Sequence, residues 1–293
     1  MVDQLLQLAL SGLTTGSIYA LIALGFVTIY NVTGIINFAQ GEFAMLGAMV
    51  LIALGPLGLP LPVGIAAAVG LVTLAGAAME RLTIHPARRA STVTLIIITL
   101  GVDITVRGLA LLAWGTDPYS LAPFTAGPPV HLGSAVVTRQ GLWILGTTAV
   151  LLLALYAFFT WTYPGKILRA CAINPLSARL SGIRPDRMSL VTFSLSAGLG
   201  AVGGIVMAPL TLVSYDMGLA LGLRGFVAAI MGGLTNPAGA VVGALLLAIL
   251  ENLAGGLFRA AYKEAVAFVV LFLILLLRPQ GIFGPGAAGR SGL

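Results

Sequence analysis

Long apolar segments recur along the whole sequence and restrict the chain to a membrane protein built from helices. Several of them exceed the roughly 18 apolar residues that a helix needs to cross a bilayer. We predict nine segments, with bounds near 8–30, 36–54, 60–79, 92–114, 141–161, 189–213, 220–234, 238–257 and 264–277. The segment at 220–234 is too short to cross comfortably and could form one arm of a re-entrant hairpin. The predicted fold class is an all-α, polytopic integral membrane protein of about eight to nine transmembrane or re-entrant helices.

Composition supports the same class. The chain is 59% hydrophobic and 8% charged, with a mean hydropathy of +1.06. A soluble domain of 293 residues would be left with apolar surface that it could not cover. Only Asp3 precedes the first apolar segment, without the basic flank of a cleaved signal peptide. We therefore expect one transmembrane domain over residues 1–293, with its first helix retained.

The cations predict the orientation of the chain. They cluster in two loops that two crossings separate, so both loops lie on one side, which the positive-inside rule assigns to the cytoplasm. These cations are Arg81, Arg88 and Arg89 in the first loop, Lys166, Arg169, Arg179, Arg184 and Arg187 in the second, and Arg278 and Arg290 after the last segment. The net charge of +6 is explained by this topology, so membrane lipid is an expected partner and nucleic acid is not.

The second basic loop, residues 164–188, contains the signature of a short capped helix. Asn174 is a good N-cap, Pro175 fits the first helical position, and Gly182 fits a left-handed stop. The helix from Pro175 to Ser181 would have about two turns, which are not stable alone in water. It therefore needs a docking partner, and a rigid basic helix between two spans would suit a transporter driven by a separate motor protein.

The sequence lacks an enzyme's motifs. Gly165 and Lys166 are followed by Ile167 and have no upstream glycine, so they do not form a phosphate-binding loop. The two histidines, His85 and His131, lie in different loops and predict no metal site. We expect no catalytic residue, no metal and no cofactor, and the chain cannot hydrolyse ATP by itself.

Two polar, glycine-containing stretches interrupt the helix pattern at membrane depth, at 30–42 and 232–239. Irregular backbone is tolerated there only where it is buried in protein or lines water. We predict that these stretches line a mostly apolar translocation path, although Asn37 and Gln40 could equally cap the second helix. The candidate path residues are Asn37, Gln40, Glu42, Asn236 and Gly239.

Other charged residues fall within or beside the predicted spans. Asp103 and Arg107 have the spacing of a helical ion pair, and a structural role is favoured over transport. Contact with the path and anchoring of helices both remain open for the other charged residues, which are Glu42, Glu251, Arg224 and Asp216.

Taken together, the motifs resemble the H-type permease of branched-chain amino-acid ABC importers. The matching stretches are Gly16 to Gly25, Thr33 to Phe43, Arg169 to Ile183, Gly232 to Glu251, Tyr262 to Glu264 and Pro279 to Gly284. The resemblance covers roughly residues 10 to 284 and depends on the order of the motifs. Within the cytoplasmic loop, it implies that the ATPase-coupling residues are Arg169, Ala170, Asn174, Pro175, Ala178, Arg179 and Gly182.

The resemblance also implies the partners: a second permease subunit, two ATP-binding subunits and an extracytoplasmic substrate-binding protein, in the cytoplasmic (inner) membrane of a prokaryote. The substrate would be a branched-chain amino acid. A urea or short-amide permease is the closest alternative, and an ion-coupled secondary transporter is an alternative from another class. The family loop often has an acidic residue near 174–176, where this chain has none, and the family pattern does not require Asp103 and Arg107.

Overall fold

The computed structural model describes residues 2–133, 135–258 and 262–284. The long helices are α1 (Val2–Thr33), α2 (Gln40–Leu54), α3 (Leu61–Met79), α4 (Thr92–Trp114), α5 (Arg139–Trp161), α8 (Pro185–Met207), α9 (Met217–Gly232), α10 (Pro237–Leu257) and α11 (Tyr262–Leu277). Between α5 and α8 lie α6 (Tyr163–Ile173) and α7 (Pro175–Leu180). A short hairpin joins β1 (Val130–Leu132) to β2 (Ala135–Val137), and a π-helical turn, Glu80–Ile84, extends α3.

All nine predicted segments are helical in the described part of the chain. Seven helices there are long and apolar enough to cross a membrane, and the apolar helices Met217–Gly232 and Ala265–Leu277 are shorter. The prediction of an all-α polytopic membrane protein is therefore confirmed. Several boundaries were wrong: α1 starts at Val2 instead of residue 8, α2 starts only at Gln40, and α8 runs from Pro185 to Met207 instead of 189–213. Arg290, one of the expected cytoplasmic cations, lies outside the described residues.

Helix α1 forms the centre of the fold. Its 32 residues pack on α8, α9 and α10, and 83% of its most apolar window is buried. Gly12 and Gly16 lie directly against the backbone of Ile249 and Leu245 in α10. Small residues at this four-residue spacing let two helices approach closely in lipid. By contrast, only 22% of the most apolar window of α4 and 11% of that of α5 is buried, so most of the apolar surface of these two helices is exposed.

The region between α5 and α8 contains a helix that was not predicted. Helix α6 starts at a Thr162 cap, whose Oγ1 accepts a hydrogen bond from the Gly165 N–H at 3.1 Å. Pro164 follows inside the first turn. These are the usual signals of a helix start, so the sequence did contain the information. The basic loop is therefore two consecutive helices that meet at Asn174.

Candidate coupling surface and translocation path

Helix α7 is capped at both ends, as the sequence predicts. The Asn174 Oδ1 accepts hydrogen bonds from the Leu176 and Ser177 N–H groups, each at 3.0 Å. Gly182 has a φ of 81°, and its N–H donates to the Arg179 carbonyl. The next N–H, that of Ile183, reaches back to Ala178, which completes a Schellman motif. The helix ends at Leu180, one residue before the predicted end.

The surface around α7 is both apolar and basic. The side chains of Ile173, Leu176 and Leu180 are 82%, 67% and 83% exposed, although this loop lies outside the apolar spans. Every cation predicted for this loop is also exposed: Lys166, Arg169, Arg179, Arg184 and Arg187. Exposed apolar residues that cluster at one place, surrounded by polar ones, are typical of a protein interaction site. We call the exposed residues of α6, α7 and 181–184 the coupling surface.

Not every residue implied for coupling lies on this surface. Arg169 and Arg179 are exposed, whereas Ala170 is partly buried and Ala178 is 4% exposed and faces its own chain. Ala178 therefore cannot contact a partner while α7 keeps this position. Its small size allows α7 to lie close to the rest of the fold. Beside it, α6 buries Cys171, and this burial raises the pKa of the thiol.

The first polar interruption folds back into the protein before α2 begins. Asn37 accepts a hydrogen bond from the Ala39 N–H through Oδ1, at 3.2 Å, and its carbonyl accepts one from the Gln40 N–H. The Oγ1 of Thr99, in α4, accepts a hydrogen bond from the Phe38 N–H at 3.2 Å. These bonds satisfy an irregular backbone that lipid could not, so α4 supports the start of α2.

Gln40 connects two helices through a reciprocal pair of hydrogen bonds. Its Nε2 donates to the Ser196 carbonyl at 3.1 Å, and the Ser196 Oγ donates to its Oε1 at 2.6 Å. A Cβ at Gly25 of α1 would overlap the Gln40 amide, so three helices meet here. Since both ends of this amide are satisfied, Gln40 ties α2 to α8.

Glu42 is the centre of a polar cluster in which two carboxylates, those of Glu42 and Asp103, are buried. It is 0% exposed, and neither of its carboxylate oxygens has a hydrogen-bond partner among the described residues. Asp103, Arg107 and Asp216 lie within electrostatic reach of it. Asp103 forms the predicted pair with Arg107 at 2.6 Å, but its second oxygen is buried and unpartnered. Such groups are costly to bury, which makes the cluster a candidate for contact with water or a passing solute.

The second polar interruption, at 232–239, connects the end of α9 to the start of α10. The Asn236 Oδ1 caps α10 by accepting from the Gly239 N–H at 3.0 Å, and its Nδ2 donates to the Phe283 carbonyl at 3.2 Å. Gly239 lies against the Gly232 backbone at the end of α9. Helix α10 starts at Pro237 as predicted. Both candidate residues therefore have a local role in capping and close packing.

The two interruptions lie at opposite ends of α9. Gly41 packs against Gly218 in its first turn, whereas Gly239 packs against Gly232 at its last residue. At 1.5 Å per residue, these two ends of α9 are about 21 Å apart. The five candidate path residues therefore form two groups and no single binding site. They could share one path only if that path runs along α9.

A second buried charged group lies between α1, α9 and α10. The Tyr19 hydroxyl donates to the Glu251 Oε2 at 2.8 Å, and the Arg224 Nε lies 3.8 Å from the Glu251 Oε1. Tyr19 and Glu251 are 232 positions apart in sequence. This triad joins three helices, which favours the anchoring role for Glu251 and Arg224. The described residues include no group of three or more metal-ligating side chains.

Comparison with known proteins identifies the family. Residues 8–275 match the branched-chain amino acid transport system permease component family. The chain is 32% identical to the high-affinity branched-chain amino acid transport system permease protein LivH of Escherichia coli K12, over 95% of each chain. It is 29% identical to the corresponding protein BraD of Pseudomonas aeruginosa, again over 95% of each chain. The ribose import permease protein RbsC of E. coli K12 is 24% identical, over 89% of this chain and 82% of its own. The chain belongs to the branched-chain amino acid transport system permease family.

Proposed function

We propose that this chain is the permease subunit through which an ABC importer moves branched-chain amino acids across the cytoplasmic membrane of a prokaryote. Its partners would be a second permease subunit, two ATP-binding subunits and an extracytoplasmic substrate-binding protein. The names of the relatives LivH and BraD support the substrate class. The relative RbsC is named for ribose, so the substrate has to be tested directly.

The observation that carries the proposal is the coupling surface. Leu176 and Leu180 are held out of the protein by a helix whose two ends are both capped. A six-residue helix has little reason to be ordered alone, since nucleating a helix is unfavourable. A cytoplasmic ATPase that covers these leucines would remove their apolar surface from water and make use of the ordered helix.

Movement of α7 has a direct route into the membrane. Helix α8 starts at Pro185, four residues after Ser181, the C-cap of α7. It packs on α1, α2 and α3. Ser196 of α8 is hydrogen-bonded to Gln40 at the start of α2. A push on α7 would therefore displace α8 and, through this pair, the segment that carries Glu42.

For the path itself, we propose a route along α9 that passes both polar interruptions. At one end of α9, the unpartnered atoms of Asn37, Glu42 and Asp103 would meet water or the charged ends of the amino acid. At the other end, Asn236 and Gly239 would border the exit. The apolar side chain of the substrate would pass the apolar surface between them.

Docking can be tested by truncating the exposed leucines. The double change Leu176→Ala and Leu180→Ala should weaken binding of the ATP-binding subunit by about tenfold or more, because burying one leucine contributes about 1.5–3 kcal/mol. Leu112→Ala is the matched control. Leu112 is 84% exposed, but it lies near the end of α4 that is predicted to face away from the cytoplasm. Binding is measured by titrating the purified ATPase onto the permease. Unchanged affinity in the double variant would refute docking at α7.

The substrate and energy source are tested in proteoliposomes that contain both permeases, the ATPases and the binding protein. We expect ATP-dependent uptake of labelled leucine that excess isoleucine or valine inhibits and excess urea or ribose does not. Vesicles without ATPase but with an imposed sodium or proton gradient are the control. Accumulation driven by the gradient alone would replace this proposal with a secondary transporter.

A further inference from the structure

A groove lies between the predicted cytoplasmic ends of α3 and α8. Its volume is about 760 Å³. The α3 side contributes the small side chains of Ala77 and Ala78, and the α8 side contributes Leu190 and Val191. Two arginines, Arg81 and Arg187, line the same groove. It therefore combines an apolar floor with two positive charges.

The α3 side of the groove belongs to a face that meets lipid. Leu74 and Leu82 lie four residues before and after Ala78, and their side chains are 66% and 75% exposed. Residues four apart share one face of a helix. Such an exposed apolar face on a membrane span can lie against the hydrocarbon, which would open the groove toward the bilayer.

The charge in the groove is not neutralised within the described part of the chain. Arg81 and Arg187 are exposed, and neither forms an ion pair with a described carboxylate. The neighbouring Glu80 is buried, and its Oε1 lies 3.9 Å from His85 Nδ1. Both arginines are therefore available to an anion from outside the described residues, at the predicted level of the lipid phosphates of the cytoplasmic leaflet.

We propose that this groove binds an anionic phospholipid of the cytoplasmic leaflet. The phosphate lies between the guanidinium groups of Arg81 and Arg187, which can each donate two parallel hydrogen bonds to it. One acyl chain lies over Ala77 and Ala78, where no large side chain blocks it. Basic pockets between membrane helices on the cytoplasmic side are recognised by such headgroups.

The position of the groove gives the bound lipid a role in coupling. Arg187 lies in the first turn of α8, directly after α7 and its Gly182 stop. A lipid that bridges Arg187 and Arg81 links the start of α8 to the end of α3. This part of the inference rests on the proposed ATPase coupling, whereas lipid binding itself does not depend on it.

Native mass spectrometry of the full-length permease tests the binding. The protein is extracted from vesicles of phosphatidylglycerol and phosphatidylcholine, and the retained lipids are counted while phosphatidylglycerol is titrated. We expect preferential retention of phosphatidylglycerol and roughly 25-fold weaker binding in the double variant Arg81→Gln and Arg187→Gln, since each arginine near an anionic surface contributes about a factor of five. Arg89→Gln is the matched control, because Arg89 is exposed in the same loop but does not line the groove.

Several outcomes would overturn the proposal. Equal retention by the double variant, or equal loss in the Arg89 variant, would mean that no specific site exists. Displacement of the lipid by millimolar inorganic phosphate would indicate a free-anion site. Cross-linking of a cysteine at Ala78 to a partner subunit would show that protein covers the groove. If the double glutamine variant does not fold, the single variant Arg81→Gln should weaken retention of phosphatidylglycerol about fivefold, and unchanged retention there would count equally against the proposal.

Discussion

Replacing Asn174 by alanine removes the acceptor that starts the coupling helix. The Asn174 Oδ1 accepts two hydrogen bonds of 3.0 Å, and no other side chain caps α7 at this end. Losing such a cap costs about 0.5–2 kcal/mol. Because α7 is exposed and has only six residues, this cost acts on its local order and hardly on the buried core. For a cost of about 1–2 kcal/mol, the ratio of ordered to disordered α7 should fall about 5- to 30-fold.

Two measurements check this prediction. Hydrogen exchange should show faster exchange of the Leu176 and Ser177 amides, and titration should show weaker binding of the ATP-binding subunit, by at most the same factor. The melting temperature of the permease should hardly change. Asn174→Asp and Asn174→Ser are the matched controls, because both side chains are good N-caps and should restore most of the binding.

One result would refute the reasoning. If Asn174→Ala increases amide exchange in α7 while ATPase affinity and transport stay at the normal level, then docking does not require an ordered helix. The coupling surface would then act only through its exposed side chains.

Three further predictions concern packing, topology and the thiol. Gly204→Ala should prevent normal folding, since a Cβ there would overlap a backbone carbonyl of α2. Gly101→Ala is the control, because Gly101 has open space around it, and this change should keep or slightly raise the melting temperature. With Cys171 replaced, an impermeant thiol reagent applied to intact cells should label a cysteine at Ser120 and not one at Ser181; the reverse pattern would invert the topology. In the unaltered protein, Cys171 should react slowly with maleimide at neutral pH, because it is buried and its raised pKa disfavours the thiolate; rapid labelling of the folded protein would contradict its placement.

The sequence by itself determined the membrane class, the nine apolar helices and the capped helix α7. Each depends on residues close together in the chain: a run of apolar side chains, or an Asn and a Gly at the two ends of a short segment. Hydropathy and helix caps are local properties, so they can be recognised in the sequence without knowledge of the fold. The Thr162 cap of α6 is an equally local signal, but the basic residues that follow it are also typical of a loop, so the sequence prediction lacks this helix.

Only the tertiary structure decided which helix faces meet. Gln40 pairs with Ser196, 156 positions away, and this contact makes it a link between helices as well as a candidate for the path. The tertiary structure also buries Ala178 against its own chain and places the two polar interruptions at opposite ends of α9. A helical repeat shows which residues share a face, but it does not name the helix that the face will contact. That choice depends on the combined packing of all the helices, where glycines such as Gly41 and Gly232 allow backbones to touch.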